Sequence, residues 1–169
     1  MKHKYNIEYG DIILRPINLD FCQKYRRLRN IPDVNKWFTN KDIISYNQQR
    51  HWYYDYLKRP NDIMFAILNS NGEFIGGNSI YNIHNSEAEF GRLIIDPLYT
   101  GNGYGFQATY AAALIARNQL KLEQLILEVY EDNIPARKTY QHVGFVERGR
   151  IFDDNNIPMV SMILLLNKL

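Results

Sequence analysis

Cysteine is nearly absent from the 169 residues, since Cys22 is the only one. A lone cysteine excludes a disulfide framework and a thiolate metal cluster, so we expect no metal site. No apolar segment approaches the roughly 20 residues of a membrane span. No apolar segment follows the basic start, Lys2-His3-Lys4, as it would in a signal peptide. The sequence therefore predicts a protein of the reducing cytoplasm with no membrane partner.

Excess charge of either sign is also lacking. Lys and Arg number 20 against 18 Asp and Glu, a formal net charge of +2, and no basic run occurs. A nucleic-acid partner is therefore not expected. Hydrophobic residues at 46% and charged residues at 22% are ordinary globular values. A chain of this length buries roughly 70% of its extended surface, which predicts one domain over residues 1–169.

Strand-like and helix-like segments alternate along the chain in the order β-α-α-β-β-β-α-β-α-β-β, which predicts an α/β fold with a mixed sheet. Asp20 and Asp42 are placed to cap the first two helices. Turn-forming residues at 69–72 and 153–156 predict two hairpins. Strands are expected at 12–16, 62–69, 73–82, 87–96, 125–129, 145–152 and 158–166, and later helices at 106–119 and 133–142.

Three alternate glycines lie between a predicted strand and a predicted helix, in the segment Gly101-Asn102-Gly103-Tyr104-Gly105. Glycine permits a positive φ and close backbone approach, so successive N–H groups can point at one anion. The following helix adds unpaired N–H donors and its dipole. The segment matches neither a Walker A loop nor a dinucleotide fingerprint. A pyrophosphate site and a plain turn between strand and helix are both compatible with it.

A second segment, 133–145, carries a polar face. At helical spacing Asn133, Ala136 and Tyr140 share one side, where an amide, a small residue and a phenol would line a surface. The alternative is that Asn133 only caps the helix and Tyr140 only packs in the core. The two segments follow consecutive strands, at the edge where open α/β sheets bind ligands.

These segments resemble the motifs of the GNAT acyl-CoA N-acyltransferases, in particular their ribosomal-protein and small-amine branch. The resemblance covers nearly the whole chain, and its specific parts are 96–105 and 133–145. The family's loop reads Arg/Gln-x-x-Gly-x-Gly, which Gly103 and Gly105 match. Thr100 departs from it, because it occupies the Arg/Gln position.

The resemblance implies a fold whose central strands splay apart and hold acetyl-CoA as cosubstrate between them. The pantetheine arm would pair with the backbone of Leu93, Ile94 and Ile95. The pyrophosphate would meet the N–H groups of 101–105, and Asn133 would hold the arm from the other side.

Acyl transfer to an amine needs a base for the amine proton, donors for the oxyanion and an acid for the thiolate. The resemblance assigns the acid to Tyr140, and Ile94 is the expected oxyanion donor. Glu89 and Glu128 are the candidate bases, with Glu89 preferred because small-amine relatives have a similar Ala-Glu-Phe setting. Either glutamate can instead be a solvated strand residue.

The acceptor pocket of this fold is built by the first two helices. Arg29, Asn30, Trp37 and Phe38 resemble elements of GNAT enzymes that acetylate nucleotide-linked amino sugars, although the aromatics can also be core and the arginine solvated. Alternatives are acetylation of polyamines or of protein N-termini as in the ribosomal-protein enzymes, and a non-catalytic acyl-CoA-binding regulatory module. A homodimer through the hairpin at 158–166 is a further expectation.

Overall fold

The computed structural model describes residues 2–169 and contains a single mixed sheet with the strand order β1-β2-β3-β4-β5-β6-β8-β7. The strands are β1 (Ile7–Tyr9), β2 (Ile12–Pro16), β3 (Ile63–Asn69), β4 (Phe74–His84), β5 (Glu87–Ile95), β6 (Gln124–Tyr130), β7 (Val146–Phe152) and β8 (Pro158–Leu165). The α-helices are α1 (Leu19–Arg29), α2 (Pro32–Asn35), α3 (Tyr46–Lys58), α4 (Tyr104–Asn118) and α5 (Ile134–Val143). The α/β architecture is confirmed, with the short β1 and α2 added.

Both predicted N-terminal caps were wrong. The Asn18 side chain accepts from the Phe21 N–H at 2.8 Å and begins α1, which leaves Asp20 inside the first turn. Helix α3 begins after Ser45, where a reciprocal capping box with Gln48 satisfies two backbone donors. Several residues that can act as N-caps lie close together in this sequence. Each helix begins after the one whose side chain accepts a hydrogen bond from a backbone N–H of the first turn.

Helices cover both faces of the sheet. Helix α4 presents small buried residues, including Ala108, Ala111 and Ala112, and packs closely against the sheet together with α5. Helices α1 and α3 pack on the opposite face, where Tyr25 and Tyr56 are buried. None of the helices within residues 2–169 is long and apolar enough to cross a membrane.

The closing hairpin forms as predicted, with β8 lying between β6 and β7. Because β8 is paired on both sides, it offers no edge to another chain, and the free edge belongs to β7. Gly144 ends α5 with a φ of +113°, the left-handed conformation that glycine adopts without penalty.

The two central strands separate soon after they meet. Parallel pairing between β5 and β6 covers only residues 87–89 and 124–126. Beyond that point β5 carries a bulge, since two of its residues, Arg92 and Leu93, lie opposite Asn78 alone in β4. Arg92 has a φ of +54°, which increases the local bend. The splayed centre that the resemblance implies is therefore present.

Candidate active site

A cleft of about 590 Å³ fills the gap between the separated ends of β5 and β6. It brings together most of the residues singled out from the sequence. They are Trp37, Phe38, Glu89, Leu93, Ile94, Ile95, Thr100, Glu128, Asn133, Ala136 and Tyr140. The divergence of β5 and β6 creates this space, so residues of these two strands form much of its wall, together with α2, α5 and the segment after α2.

The glycine loop follows directly after Thr100, which lines the cleft, whereas residues 101–105 are not among the lining residues. Gly101 and Gly103 have φ values of +83° and +75°, and Gly103 begins the 15-residue helix α4. Within residues 2–169, none of the backbone N–H groups from Gly101 to Phe106 donates to another residue. A run of unpaired donors at the N-terminus of a long helix favours a negatively charged ligand. The side chains of Thr100 and Asn102 bond back to the preceding turn at Pro97 and Tyr99.

The edge of β5 also offers free backbone groups. Asp96 donates its N–H to the Ile75 carbonyl at 2.8 Å, so Ile94, opposite Gly77, is the next hydrogen-bonded position toward β4. By the two-residue alternation, the N–H groups of Leu93 and Ile95 point into the gap. This register favours Leu93 over Ile94 as the oxyanion donor, because it directs the Ile94 N–H at β4; the donor itself stays a prediction.

Tyr140 is held in the wall of the cleft by aromatic packing. Its ring meets Phe90 at 6.2 Å and Phe145 at 5.9 Å between centroids, both edge to face. The side chain is 9% exposed, and burial raises the pKa of its phenol to about 12. The hydroxyl therefore keeps its proton at neutral pH.

Two carboxylates, those of Glu89 and Glu128, line the cleft where β5 and β6 part. Burial, and secondly the charge of Glu89, raise the pKa of Glu128 above its ordinary value. Glu89 accepts a hydrogen bond of 2.8 Å from the Asn82 side chain. Tyr81 lies directly opposite Glu89 in β4, and the pKa of its phenol is raised by burial and by that carboxylate.

Asn133 and Ala136 form the α5 side of the cleft. The Asn133 side chain accepts from the Ala136 N–H at 3.3 Å, so it caps α5, and it lines the cleft as well. Asn133 therefore both caps the helix and lines a surface shared with Ala136, and its contact with the pantetheine arm stays a prediction. Ala136 leaves space in the cleft beside α5, because its side chain is a single methyl group.

The four predicted acceptor residues separate into two pairs. Trp37 and Phe38 line the cleft. Asn30 does not reach it, because its side chain donates to the Ile44 carbonyl at 2.8 Å and accepts from the Ile44 N–H at 3.0 Å. Arg29 lies behind Phe38, with its guanidinium 3.9 Å from the centre of that ring.

Sequence reasoning missed Tyr81 and Arg92, which both line the cleft. The Arg92 guanidinium lies 4.4 Å above the Tyr81 ring and bonds the Asp62 carboxylate at 2.8 Å. Tyr81 could in principle have been found from the sequence. It and Glu89 are equally far from Asn85 in the turn that joins their strands, which places the two residues opposite each other in the hairpin. The bulge at Arg92 left no comparable signal.

A family model described as an acetyltransferase (GNAT) domain matches residues 11–146. The chain belongs to the GNAT acetyltransferases. The enzyme is thus an acetyl-CoA-dependent N-acetyltransferase, as the motifs predicted. No protein of curated function matches the chain significantly.

Solved structures of GNAT acetyltransferases share its fold. A spermidine N-acetyltransferase from Vibrio cholerae, in complex with CoA and spermine, superposes with a TM-score of 0.86 at 21% identity, over 94% of this chain and 97% of that one. A GNAT-family acetyltransferase from Bacillus anthracis gives 0.82 at 15% identity, over 96% and 99% of the two chains. At these identities the likeness concerns the fold alone.

The residues present fit acetyl-CoA. The unpaired N–H groups of 101–106 suit the pyrophosphate, and the free backbone edge at Leu93 and Ile95 suits the amides of the pantetheine arm. Bound acetyl-CoA supplies the acetyl thioester.

Proposed function

We propose that this acetyltransferase transfers the acetyl group directly to the primary amine of a small molecule, a nucleotide-linked amino sugar. The observation that carries the proposal is the convergence of Tyr140, Glu89 and Glu128 on one cleft beside unpaired backbone donors. These are the groups that a single displacement requires: a base, an acid and oxyanion donors. Trp37 and Phe38 provide aromatic surface at the acceptor end.

The amine must lose a proton to become a nucleophile, because an alkyl ammonium has a pKa of about 10. Glu89 and Glu128 take that proton directly or through water, in keeping with their position where β5 and β6 part. The neutral nitrogen then attacks the thioester carbon. The new C–N bond forms as the carbonyl oxygen gains charge, and the Leu93 N–H is the donor that we assign to it.

Collapse of the tetrahedral intermediate breaks the C–S bond. Tyr140 is protonated at neutral pH, so its hydroxyl can donate to the departing sulfur. A thiol has a pKa of about 8.5, well below that of this phenol. Hydrogen bonding to the thiolate is therefore favoured over complete proton transfer. The attacking nitrogen still carries one proton more than the amide product, and it loses that proton to the second carboxylate or to water. The sulfur takes its final proton from solvent or from the protonated base.

A covalent acyl-enzyme on cysteine is disfavoured by the burial of Cys22. This thiol is fully buried, accepts from the Gln49 side chain at 2.9 Å, and has a pKa raised by burial to about 11. A protonated, enclosed thiol cannot attack a thioester in the cleft. Direct transfer in a ternary complex remains.

A polyamine is the second candidate acceptor, and the acidic lining of the cleft favours it. Asp33, Glu89 and Glu128 would attract a cationic chain, and the Vibrio cholerae protein of the same fold is a spermidine N-acetyltransferase. The basic character of residues 26–29 opposes this candidate only through Arg29, whose guanidinium lies behind Phe38, since Arg26 and Arg27 are not among the residues that line the cleft. A protein N-terminus remains a third candidate.

The experiment is acetyl-CoA-dependent thiol release across nucleotide-linked 4-amino sugars, polyamines, amino acids and short peptides. We expect release with the amino sugars, lowered in Tyr140→Phe. Release only with spermidine or peptides would replace the proposed acceptor. Thermal stabilisation by acetyl-CoA with no release from any amine would favour a non-catalytic acyl-CoA-binding module.

A further inference from the structure

Arg92 is held from three directions in the bulge of β5. Its φ of +54° lies in the left-handed region that side chains other than glycine rarely adopt, so its surroundings must stabilise it. The guanidinium bonds the buried Asp62 carboxylate at 2.8 Å and lies 4.4 Å above the Tyr81 ring. The Tyr25 hydroxyl donates to the Arg92 carbonyl at 2.8 Å. Both the side chain and the backbone of this residue are therefore fixed.

Two glycines beside the bulge make room for the tyrosine rings that hold it. A Cβ at Gly77, which lies opposite Ile94, would stand 2.9 Å from the Tyr25 ring. A Cβ at Gly91 would stand 3.0 Å from the Tyr81 hydroxyl. A larger residue at either position would crowd the ring beside it. The close approach of both rings to the bulge therefore depends on the absence of a side chain at these two positions.

A single peptide unit links Tyr25 to the cleft. The peptide bond between Arg92 and Leu93 is trans, so the Arg92 carbonyl and the Leu93 N–H lie in one plane and point in opposite directions. A hydrogen bond that fixes the carbonyl therefore also fixes the N–H. Leu93 lines the cleft, whereas Tyr25 is not among its lining residues. Burial raises the pKa of the Tyr25 phenol, so the hydroxyl keeps the proton that it donates.

We propose that Tyr25 is a positioning residue for acetyl transfer, whose hydroxyl holds the Arg92 carbonyl and thereby aims the Leu93 N–H at the thioester oxygen. The proposal rests on the proposed function, in which the Leu93 N–H donates to the oxyanion, and deepens it by naming the group that orients this donor. As the oxyanion gains charge, the peptide unit polarises and the hydrogen bond at its carbonyl strengthens. Tyr25 thus stabilises the transition state more than the bound substrates, which predicts an effect on kcat.

The direct test is steady-state kinetics of Tyr25→Phe with every amine that the thiol-release assay shows to be acetylated. The substitution keeps the ring against Gly77 and removes only the hydroxyl. We expect kcat to fall about 10-fold, less than the roughly 100-fold loss that follows complete removal of an oxyanion donor. The factor should be the same for every acceptor, because the oxyanion is common to all. KM for acetyl-CoA and for the amine should change little.

Tyr56→Phe is the matched control. Tyr56 is fully buried in the same cluster as Tyr25, and its hydroxyl accepts from the Met64 N–H at 3.0 Å, so this variant also loses one buried hydrogen bond. We expect thermal unfolding to show similar losses of stability in the two variants, and kcat to fall in Tyr25→Phe alone. Equal kcat in wild type and Tyr25→Phe, or equal falls in Tyr25→Phe and Tyr56→Phe, would overturn the proposal.

A second variant protects the test against misfolding of Tyr25→Phe. Asp62→Asn keeps the size of a side chain that is not among the cleft lining, and it weakens the other support of Arg92. We expect kcat to fall several-fold with KM for acetyl-CoA unchanged. A rise in KM with kcat unchanged would contradict the proposal, because the bulge would then serve binding and not the transition state.

Amide NMR separates this proposal from the proposed function. In the wild type we expect the Leu93 amide proton to shift downfield when acetyl-CoA binds. The shift should be smaller in Tyr25→Phe and retained in Tyr56→Phe. Turnover of amines with a Leu93 signal that does not respond to Tyr25→Phe would refute the positioning role and leave acetyl transfer intact. A Leu93 shift that depends on Tyr25, with no turnover of any amine, would support the positioning role and refute the proposed acceptors.

Discussion

The two ends of the cleft present different kinds of chemical group for binding: backbone donors at one end and side chains at the other. At the end that we assign to the cofactor, the groups available for recognition are backbone N–H donors, at 101–106 and along β5, positioned by two glycines with positive φ and by strand divergence. At the end that we assign to the acceptor, they are side chains of α1, of α2 and the residues after it, and of neighbouring strands, among them Trp37, Phe38 and Arg29. Backbone recognition constrains the sequence to a short motif, whereas side-chain recognition depends on packing between distant segments.

The largest expected effect is that of Tyr140→Phe, which removes the thiolate's hydrogen-bond donor. We expect kcat to fall about 100-fold, by the same factor for every acceptor, because the leaving group is common to all. Thiol release with two unrelated amines measures it. A factor that differs widely between acceptors would mean that Tyr140 belongs to the acceptor end, and the comparison of the two ends would fail.

Gly103→Ala tests whether the glycine loop positions the backbone donors for acetyl-CoA. The left-handed conformation of Gly103 costs an L-residue roughly 1–2 kcal/mol, so the substitution misdirects the donors around it. We expect KM for acetyl-CoA to rise about 10-fold.

Gly72→Ala is the matched control for that variant. Gly72 has a φ of +79° and, like Gly103, open space around an added Cβ, but it lies in the turn between β3 and β4. Both variants should lose similar stability in thermal unfolding, and only Gly103→Ala should lose acetyl-CoA affinity. Equal affinity losses would assign the effect to strain instead of to the loop.

Thr100→Arg tests the departure from the family's loop pattern. Thr100 is exposed and its side chain bonds only the Pro97 carbonyl, so an arginine fits without disturbing the fold. We expect acetyl-CoA to bind roughly 3-fold more tightly at low salt, an advantage that salt removes. Titration at two ionic strengths measures it, and unchanged affinity would place the pyrophosphate away from residue 100.

The smallest effect concerns stability. The pKa of Glu128 is higher in the folded protein than in the unfolded chain, so the folded state favours the protonated carboxyl. The stability contributed by this preference is fully present below the unfolded pKa. It is lost as pH rises through the folded pKa. Glu128→Gln should therefore be more stable than wild type at pH 7, by up to about 1 kcal/mol, and equal to it near pH 3. Thermal unfolding at both pH values measures this, and destabilisation at pH 7 would contradict the raised pKa of Glu128.

Predictability from sequence follows the same division. The glycine loop, the cap at Asn133 and the C-terminal Gly144 could be predicted because each is a local backbone requirement met by adjacent residues. The hydrogen-bonded register that directs the Ile94 N–H toward β4 depends on the bulge at Arg92, which no local pattern announces.

The acceptor end was less accessible from sequence for a related reason. Arg29 and Asn30 are neighbours at the C-terminal end of α1, yet Asn30 hydrogen-bonds the Ile44 backbone and Arg29 lines a separate cavity between α1 and α3. Helical position alone assigns both to the same region, and the distinction comes from how α1 packs against α3 and the segment 38–44. The lack of an acidic partner for the buried Arg29 within residues 2–169 likewise depends on packing, so the sequence alone does not predict it.

The central claim is that backbone donors hold the cofactor and leave the side chains to select the acceptor. Amide hydrogen exchange with and without CoA, resolved residue by residue, tests it most directly. We predict slowed exchange at Leu93, Ile95 and 101–106, with Ile94 and the amides of α1 unchanged. Protection concentrated in α1 and α3, with the glycine loop unaffected, would contradict the account.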